Sequence, residues 1–343
     1  MKRRQVKWLI ISVGFSVIVL GLVLFFTIDE QTIEYIRRIN PLFLIAAVLF
    51  HFVALLCWSL RIQLMTAALG YRVSLLHCVN LVFANMLVAA ITPSQAGGEP
   101  VRVHELYRAH VRIGDATAVV IMERVMDGIV LGLIGILAMI YLGSHWNSIG
   151  LNLGYLMLAS WLMVTIFVLI FAYSVRNPDF LKRVLKKISF WINRRWHSQR
   201  IDRFIEAIDH EVDNFHGSLQ HFVGRARLGV VAGLVFTLLF WFFEFIIASF
   251  ILMGLGQPPF FVESFVIQLI IAILMMIPLT PGGSGIAEIS ATSLYGLIVS
   301  SSIVGVFVVL WRVILYYLNI LIGVFSSVVI VRRELVLRKI GLR

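Results

Sequence analysis

Long apolar runs separated by short charged blocks set the pattern of the chain. Six of them, at 8–27, 42–64, 115–142, 151–175, 227–254 and 303–331, match the roughly 20 residues that carry an α-helix across the hydrocarbon core of a bilayer. Each predicts a full transmembrane span. Two further apolar runs, 73–92 and 262–279, end differently: the first enters "TPSQAGGEP" at Thr92 and the second "TPGGSG" at Thr280. Proline breaks the helical hydrogen-bond ladder and glycine lets the chain reverse. Both runs therefore predict re-entrant hairpins, with tips at Pro93, Gly97 and Gly98 in one and at Pro281, Gly282, Gly283 and Gly285 in the other. The expected fold class is all-α: a polytopic membrane protein of six full spans and two re-entrant hairpins.

Composition agrees with a membrane solvent. The 343-residue chain is 60% hydrophobic and 14% charged, against roughly 45–50% and 25% in soluble domains. The basic start "MKRRQVK" resembles a signal peptide, but the apolar run behind it is too long and no small-residue cleavage site follows, so it reads as a retained helix. The net charge of +11 sits mainly in three blocks beside membrane helices: residues 2–7, the segment 176–226 and "RRELVLRKIGLR" at the end. Blocks so placed are read as cytoplasmic loops facing anionic lipid rather than a nucleic-acid footprint. Both termini and the central loop are then cytoplasmic, in the cell membrane. An odd number of spans would put the central loop outside. The conflict is removed if 73–112 turns back within the membrane from the cytoplasmic side and 262–300 does so from the outer side. Irregular backbone at that depth is tolerated where it lines a protein-covered or watery cavity.

The chain is also similar to itself. A shift of 188 residues aligns Thr92-Pro93 with Thr280-Pro281, Gly97 with Gly285, Leu106-Tyr107 with Leu294-Tyr295, and Arg124-Val125 with Arg312-Val313. Identity is 14 of 56 positions over residues 80–135, where this composition gives roughly a tenth by chance. With the charge argument, this makes the chain one transmembrane domain over 1–343, built as an inverted repeat: repeat A at 41–142, an amphipathic cytoplasmic loop at 176–226 and repeat B at 227–331. Inverted repeats in transporters place the substrate near the midplane, beside broken helices.

Charges inside the apolar runs mark the candidate site. Glu123, Arg124 and Asp127 lie within 115–142, Arg312 lies in the equivalent run, Glu244 sits in "WFFEFIIASF", and Glu99 and Glu288 lie at the hairpin tips. Each costs about 2.5–3.5 kcal/mol at a helix centre on insertion scales. Glu123 and Asp127, four apart, share a helix face and are expected to turn toward a cavity. Arg124 and Arg312 read in two ways: locked to Glu99, Glu244 or Glu288 as structural pairs, or available to grip a phosphate with a planar guanidinium. Arg102 returns with its hairpin toward the cytoplasm, Arg61 lies near its helix end and can snorkel, and His51 reads as a packed polar residue. Cys57 and Cys78 fall in apolar runs, and no metal-ligand spacing, phosphate-binding loop or nucleophile–base constellation is found. No cofactor and no metal are expected, and the protein is not read as an enzyme. Within the central loop, Lys182, Arg183, Lys186 and Lys187 lie opposite an apolar face, the pattern of a helix resting on anionic lipid.

"TPSQAGGEPVRVHEL", "ERVMDGIVLG" and "PLTPGGSGIAE" together resemble the motifs of a flippase-like membrane family. That family includes the membrane domain of lysylphosphatidylglycerol synthetase, the multiple peptide resistance factor, and the likeness runs from about residue 8 to 331. It implies lipid translocation, and it singles out Pro93, Gly97, Glu99, Arg102, Glu123, Arg124, Asp127, Pro281, Gly282, Gly283, Gly285 and Glu288. The chain ends at Arg343 without the family's soluble aminoacyl-transferase domain, so it is not expected to make an aminoacylated lipid itself. The substrate class is left open among phospholipids, aminoacyl-phospholipids and polyprenyl-phosphate-linked carriers. The competing reading is a transporter or channel for a small solute or ion. Compatible partners are membrane lipids, a separate lipid-modifying enzyme and a second copy of the chain.

Overall fold

The computed structural model describes residues 3–92, 97–144, 212–222, 224, 226–275, 280 and 282–326, with isolated positions between 162 and 187. The expected span 151–175, Pro93 and Pro281, most of the loop 176–226 and the C-terminal basic block lie outside the described residues.

Every described element is helical. In chain order these are α1 (Arg3–Thr27), α2 (Glu30–Arg37), α3 (Pro41–Ala68), α4 (Leu75–Ala90), α5 (Gly98–Arg108), α6 (Ile113–Ser144), α7 (Arg227–Gly254), α8 (Phe261–Leu274), α9 (Ile286–Tyr295) and α10 (Ser301–Arg312). A π-turn at Val313–Tyr317 carries α10 onward, and the helical path continues to Ser326. Residues 212–222 form a further helical segment. Local chemistry sets several starts. Asn40 accepts from the Leu42 N–H ahead of Pro41 at the first helical position, where a missing N–H costs nothing. Asp29 caps α2 reciprocally with Thr32, and Ser74 caps α4 through the His77 N–H.

Among the described residues, three helices are long and apolar enough to cross a membrane: Pro41–Ala68, Arg227–Gly254 and Ser301–Ser326. The first expected span, 8–27, lies within the single helix α1, and just beyond it the chain bends by 112° between Val13–Thr27 and Glu30–Arg37. α6 has 32 residues but carries Asp115, Glu123, Arg124 and Asp127 in its first half. α4 and α8, with 16 and 14 residues, reach about 24 and 21 Å at 1.5 Å per residue. Both stop short of a ~30 Å hydrocarbon core.

Helix starts recur at the spacing of the sequence repeat. α5 and α9 begin at 98 and 286, and α6 and α10 at 113 and 301, a difference of 188 in each case. α3 and α7 begin 186 apart, at 41 and 227. These two helices pack antiparallel: the Asn40 N–H donates to the Gly254 carbonyl at 2.9 Å, and at the other end Gly229 lies against Ala68. Between the ends, Phe50 meets Phe250 edge-on at 4.8 Å and Trp58 meets Phe240 at 5.6 Å. Two main apolar cores form, one around Leu81, Leu106, Val119 and Phe222 and the other around Ile251, Ile270, Tyr295 and Phe307, the second also taking in Leu20, Ala47, Leu131 and Ala138.

The two breaks touch. The Gly282 N–H donates to the Thr92 carbonyl at 3.0 Å, and Gly282 holds φ of 60°, a left-handed conformation that favours glycine. A Cβ there would lie 2.6 Å from the Ala90 carbonyl oxygen, so the close approach needs glycine as well. Leu87, Ala90, Tyr316 and Ile320 form a small apolar cluster beside the junction.

Candidate functional site

A cavity of about 640 Å³ opens between the two halves. Its polar wall carries Arg61, Glu99, Arg124 and Asp127 from the first half, Glu244, Gln268 and Arg312 from the second, and His51 and Asn319. Trp58, Phe240, Trp241, Phe245, Trp311 and Tyr316 supply aromatic surface between them.

The first-half charges form a chain. Arg61 is 1% exposed and turns inward from α3, its Nε 3.0 Å from Glu123 Oε1 and its Nη1 2.7 Å from Asp127 Oδ1. Thr237 on α7 accepts a further bond from Nη1 at 3.0 Å. Glu123 is sealed off, with Trp58 Nε1 donating to one oxygen at 2.8 Å and Arg102 Nη1 to the other at 2.8 Å. Arg102 is fully buried, stacked near the Trp58 ring, and its Nε and Nη2 have no hydrogen-bond partner among the described residues. Its Nη2 is 3.6 Å from Glu99 Oε1. Arg124 then faces the open space: its Nε and Nη2 reach Glu99 Oε1 at 3.1 and 3.0 Å, and its Nη1 reaches Asp127 Oδ2 at 3.3 Å. The side chains of Arg124 and Glu99 are 39% and 34% exposed. Glu99 stands in the first turn of α5, where the helix dipole favours a carboxylate.

The second half repeats the motif in a closed form. Arg312 Nε reaches Glu288 Oε1 at 2.8 Å, with both side chains almost fully buried. Glu288 stands in the first turn of α9, where its Oε2 accepts from the Gly285 N–H at 2.7 Å. Gly285 and Gly283 hold φ of 85° and 68°. α1 covers this pair: Ser16 donates to Glu288 Oε1 at 2.6 Å and accepts from the Tyr317 hydroxyl at 2.9 Å. The Tyr316 ring lies 4.4 Å below the Arg312 guanidinium, a cation–π distance.

Several sequence-based expectations change. Arg61 does not snorkel at a helix end: it is buried and neutralises two carboxylates. Arg102 does not return to a surface, because Glu123 holds it inside. Only Asp127 of the Glu123–Asp127 pair lines the cavity, since the Trp58 and arginine shell occupies Glu123. Both deep arginines do have glutamate partners, Glu99 and Glu288. Glu244 takes neither, pairing with His51 at 2.9 Å. Gly97 and Gly98 open α5, Gly97 donating its N–H to the Thr92 hydroxyl at 2.9 Å. Sequence gave no signal for Trp58, Trp241, Gln268 or Asn319, which carry no charge. Among the described residues no three acidic, histidine or cysteine side chains converge as a metal site.

The profile described as the lysylphosphatidylglycerol synthase TM region matches residues 9–323. The chain belongs to this family. It is also similar to a UPF0104 membrane protein of Archaeoglobus fulgidus, 32% identical over 92% of this chain and 95% of the relative. A UPF0104 membrane protein of Pyrococcus horikoshii is 24% identical, covering 84% and 86% of the two chains. One of Methanocaldococcus jannaschii is 21% identical over 98% of both. The family's match takes in both halves and every charged residue on the cavity wall.

Proposed function

We propose that the protein moves an anionic or phosphate-bearing lipid between membrane leaflets, without altering it chemically. The half-exposed Arg124–Glu99 pair on the cavity wall carries this reading. The Arg124 Nε and Nη2 converge on a single carboxylate oxygen, Glu99 Oε1, and that same planar edge of a guanidinium can take a phosphate. The substrate phosphate takes the place of Glu99 at Arg124, the headgroup occupies the aromatic-walled cavity, and the tails stay in lipid. In this scheme the termini are cytoplasmic in the cell membrane, the two halves are related as inverted repeats, and the basic loop 176–226 rests on anionic lipid.

The test is reconstitution in liposomes carrying a headgroup-labelled anionic lipid, followed by loss of leaflet asymmetry. Wild-type protein is expected to accelerate translocation, and Arg124→Ala to abolish most of the acceleration while remaining folded. Folded Arg124→Ala and Arg312→Ala proteins that translocate at the wild-type rate would refute a phosphate role for the arginines. Absence of wild-type acceleration across phospholipid and polyprenyl-phosphate probes, together with flux of a small solute, would favour the solute-transporter reading.

A further inference from the structure

Of the carboxylates on the cavity wall, Glu99 and Asp127 are neutralised by arginine, whose proton is not released in proteins. Glu244 is different. Its Oε1 lies 2.9 Å from His51 Nδ1, with His51 1% exposed and the glutamate side chain 15% exposed to the cavity. The other ring nitrogen, Nε2, lies 2.9 Å from Asn319 Oδ1. The Asn319 amide is itself fixed, because its Nδ2 donates to the Leu315 carbonyl at 2.8 Å.

This chain of bonds determines where the protons are. Asn319 presents an oxygen, which can only accept, so His51 Nε2 carries a hydrogen. His51 Nδ1 then either accepts a proton from a protonated Glu244 or donates one to its carboxylate. Either way the contact contains a single transferable proton, and the dyad is neutral when that proton is present. Loss of it leaves a net negative charge on the cavity wall. Histidine is the side chain whose ordinary pKa, about 6.5, lies in the physiological range.

We propose that the His51–Glu244 dyad is a proton-binding site that couples proton movement to transport through the cavity, an inference that rests on the lipid-transport reading. Its position fits coupling. His51 comes from α3, Glu244 from α7 and Asn319 from the helix beyond the π-turn, so both halves contribute to one proton site. The other charged or titratable groups that line the cavity with the dyad are Arg61 on α3, Arg124 and Asp127 on α6, Arg312 and Tyr316 around the π-turn, and Glu99 on α5. Arg61, Arg124, Asp127, Arg312 and Glu99 are held in the ion pairs already described. A substrate phosphate at Arg124 adds negative charge to the same cavity, which favours the protonated dyad. Phosphate and proton binding thus reinforce each other, as linkage requires.

The experiment uses full-length protein in liposomes with a headgroup-labelled anionic phospholipid and a lumenal pH dye. The ratio of translocation rates with and without an imposed pH gradient is compared for wild type, His51→Gln and Glu244→Gln. Wild type is expected to give a ratio well above unity with accompanying proton flux, and both variants a ratio near unity. Infrared difference spectra of the purified protein between mildly acidic and mildly alkaline buffer read the dyad without any lipid movement. A titrating signal lost in both variants supports the site. Asn319→Asp guards against mere misfolding: a folded variant with a second carboxylate on His51 should keep an infrared titration, at a pH different from that of wild type. A gradient response retained in both variants, or no infrared titration assignable to the dyad, overturns the proposal. If lipid fails to move with wild type while the dyad titrates as described, the lipid reading falls and the proton site stands.

Discussion

Arg124 and Arg312 stand at equivalent positions of the two halves, 188 residues apart, and each grips a glutamate in the first turn of the helix that follows a broken segment. They differ in what covers them. In the second half α1 lies across the pair, and Ser16 with Tyr317 completes the hydrogen bonds of Glu288. In the first half no helix among the described residues lies across the pair, and although both arginines line the cavity, here more than a third of each side chain is exposed. One motif therefore serves two ends. A sealed pair orders the helices that hold it, whereas an accessible one can exchange its carboxylate for another anion.

The comparison can be broken by substitution, and the largest effect is expected at the sealed pair. Arg312→Ala leaves Glu288 buried without a counter-charge and should cost about 3–5 kcal/mol, read as a sharp fall in thermal stability in detergent. Arg124→Ala, at the accessible pair, should cost about 1 kcal/mol or less while losing lipid translocation. Equal destabilisation by both would erase the distinction. Ser16→Ala removes a bond to a charged acceptor and should lower stability by about 1.5–3 kcal/mol. The same assay checks it, and an unchanged melting point would mean that α1 does not secure Glu288. The smallest contrast lies at the tips. Gly282→Ala must fit a Cβ against backbone oxygen at positive φ, so it should cost about 1–3 kcal/mol. At Gly97, φ is −71° and the obstacle is the Thr92 side chain, which can rotate away. Gly97→Ala should be the milder of the two in the same melting comparison.

The helix breaks were legible because Thr-Pro and glycine act locally, and the repeat register followed from the same residues. The pairing of charges was not legible. Sequence gives the depth of Arg61 along its helix but not the face it turns, and its partners Glu123 and Asp127 are more than 60 positions away. Arg102 misled for a related reason: it stands among Arg108 and Arg112 in the sequence, yet Glu123 draws it into the core. His51 is packed, as its place in an apolar run predicts, but its meaning comes from Glu244 and Asn319, 193 and 268 positions distant. Asn319 is an uncharged residue in an apolar run, and nothing local marks it.

The bond from the Gly282 N–H to the Thr92 carbonyl fastens the apex of one broken segment to the apex of the other. A backbone bond of this kind has a net worth of about 0.5–1.5 kcal/mol, which amounts to roughly a two- to tenfold bias in population. So far as this bond holds the apexes together, thermal motion can unfasten and refasten them without an external motor. A ligand that bound the parted form only modestly better than the joined one could then reverse which form predominates.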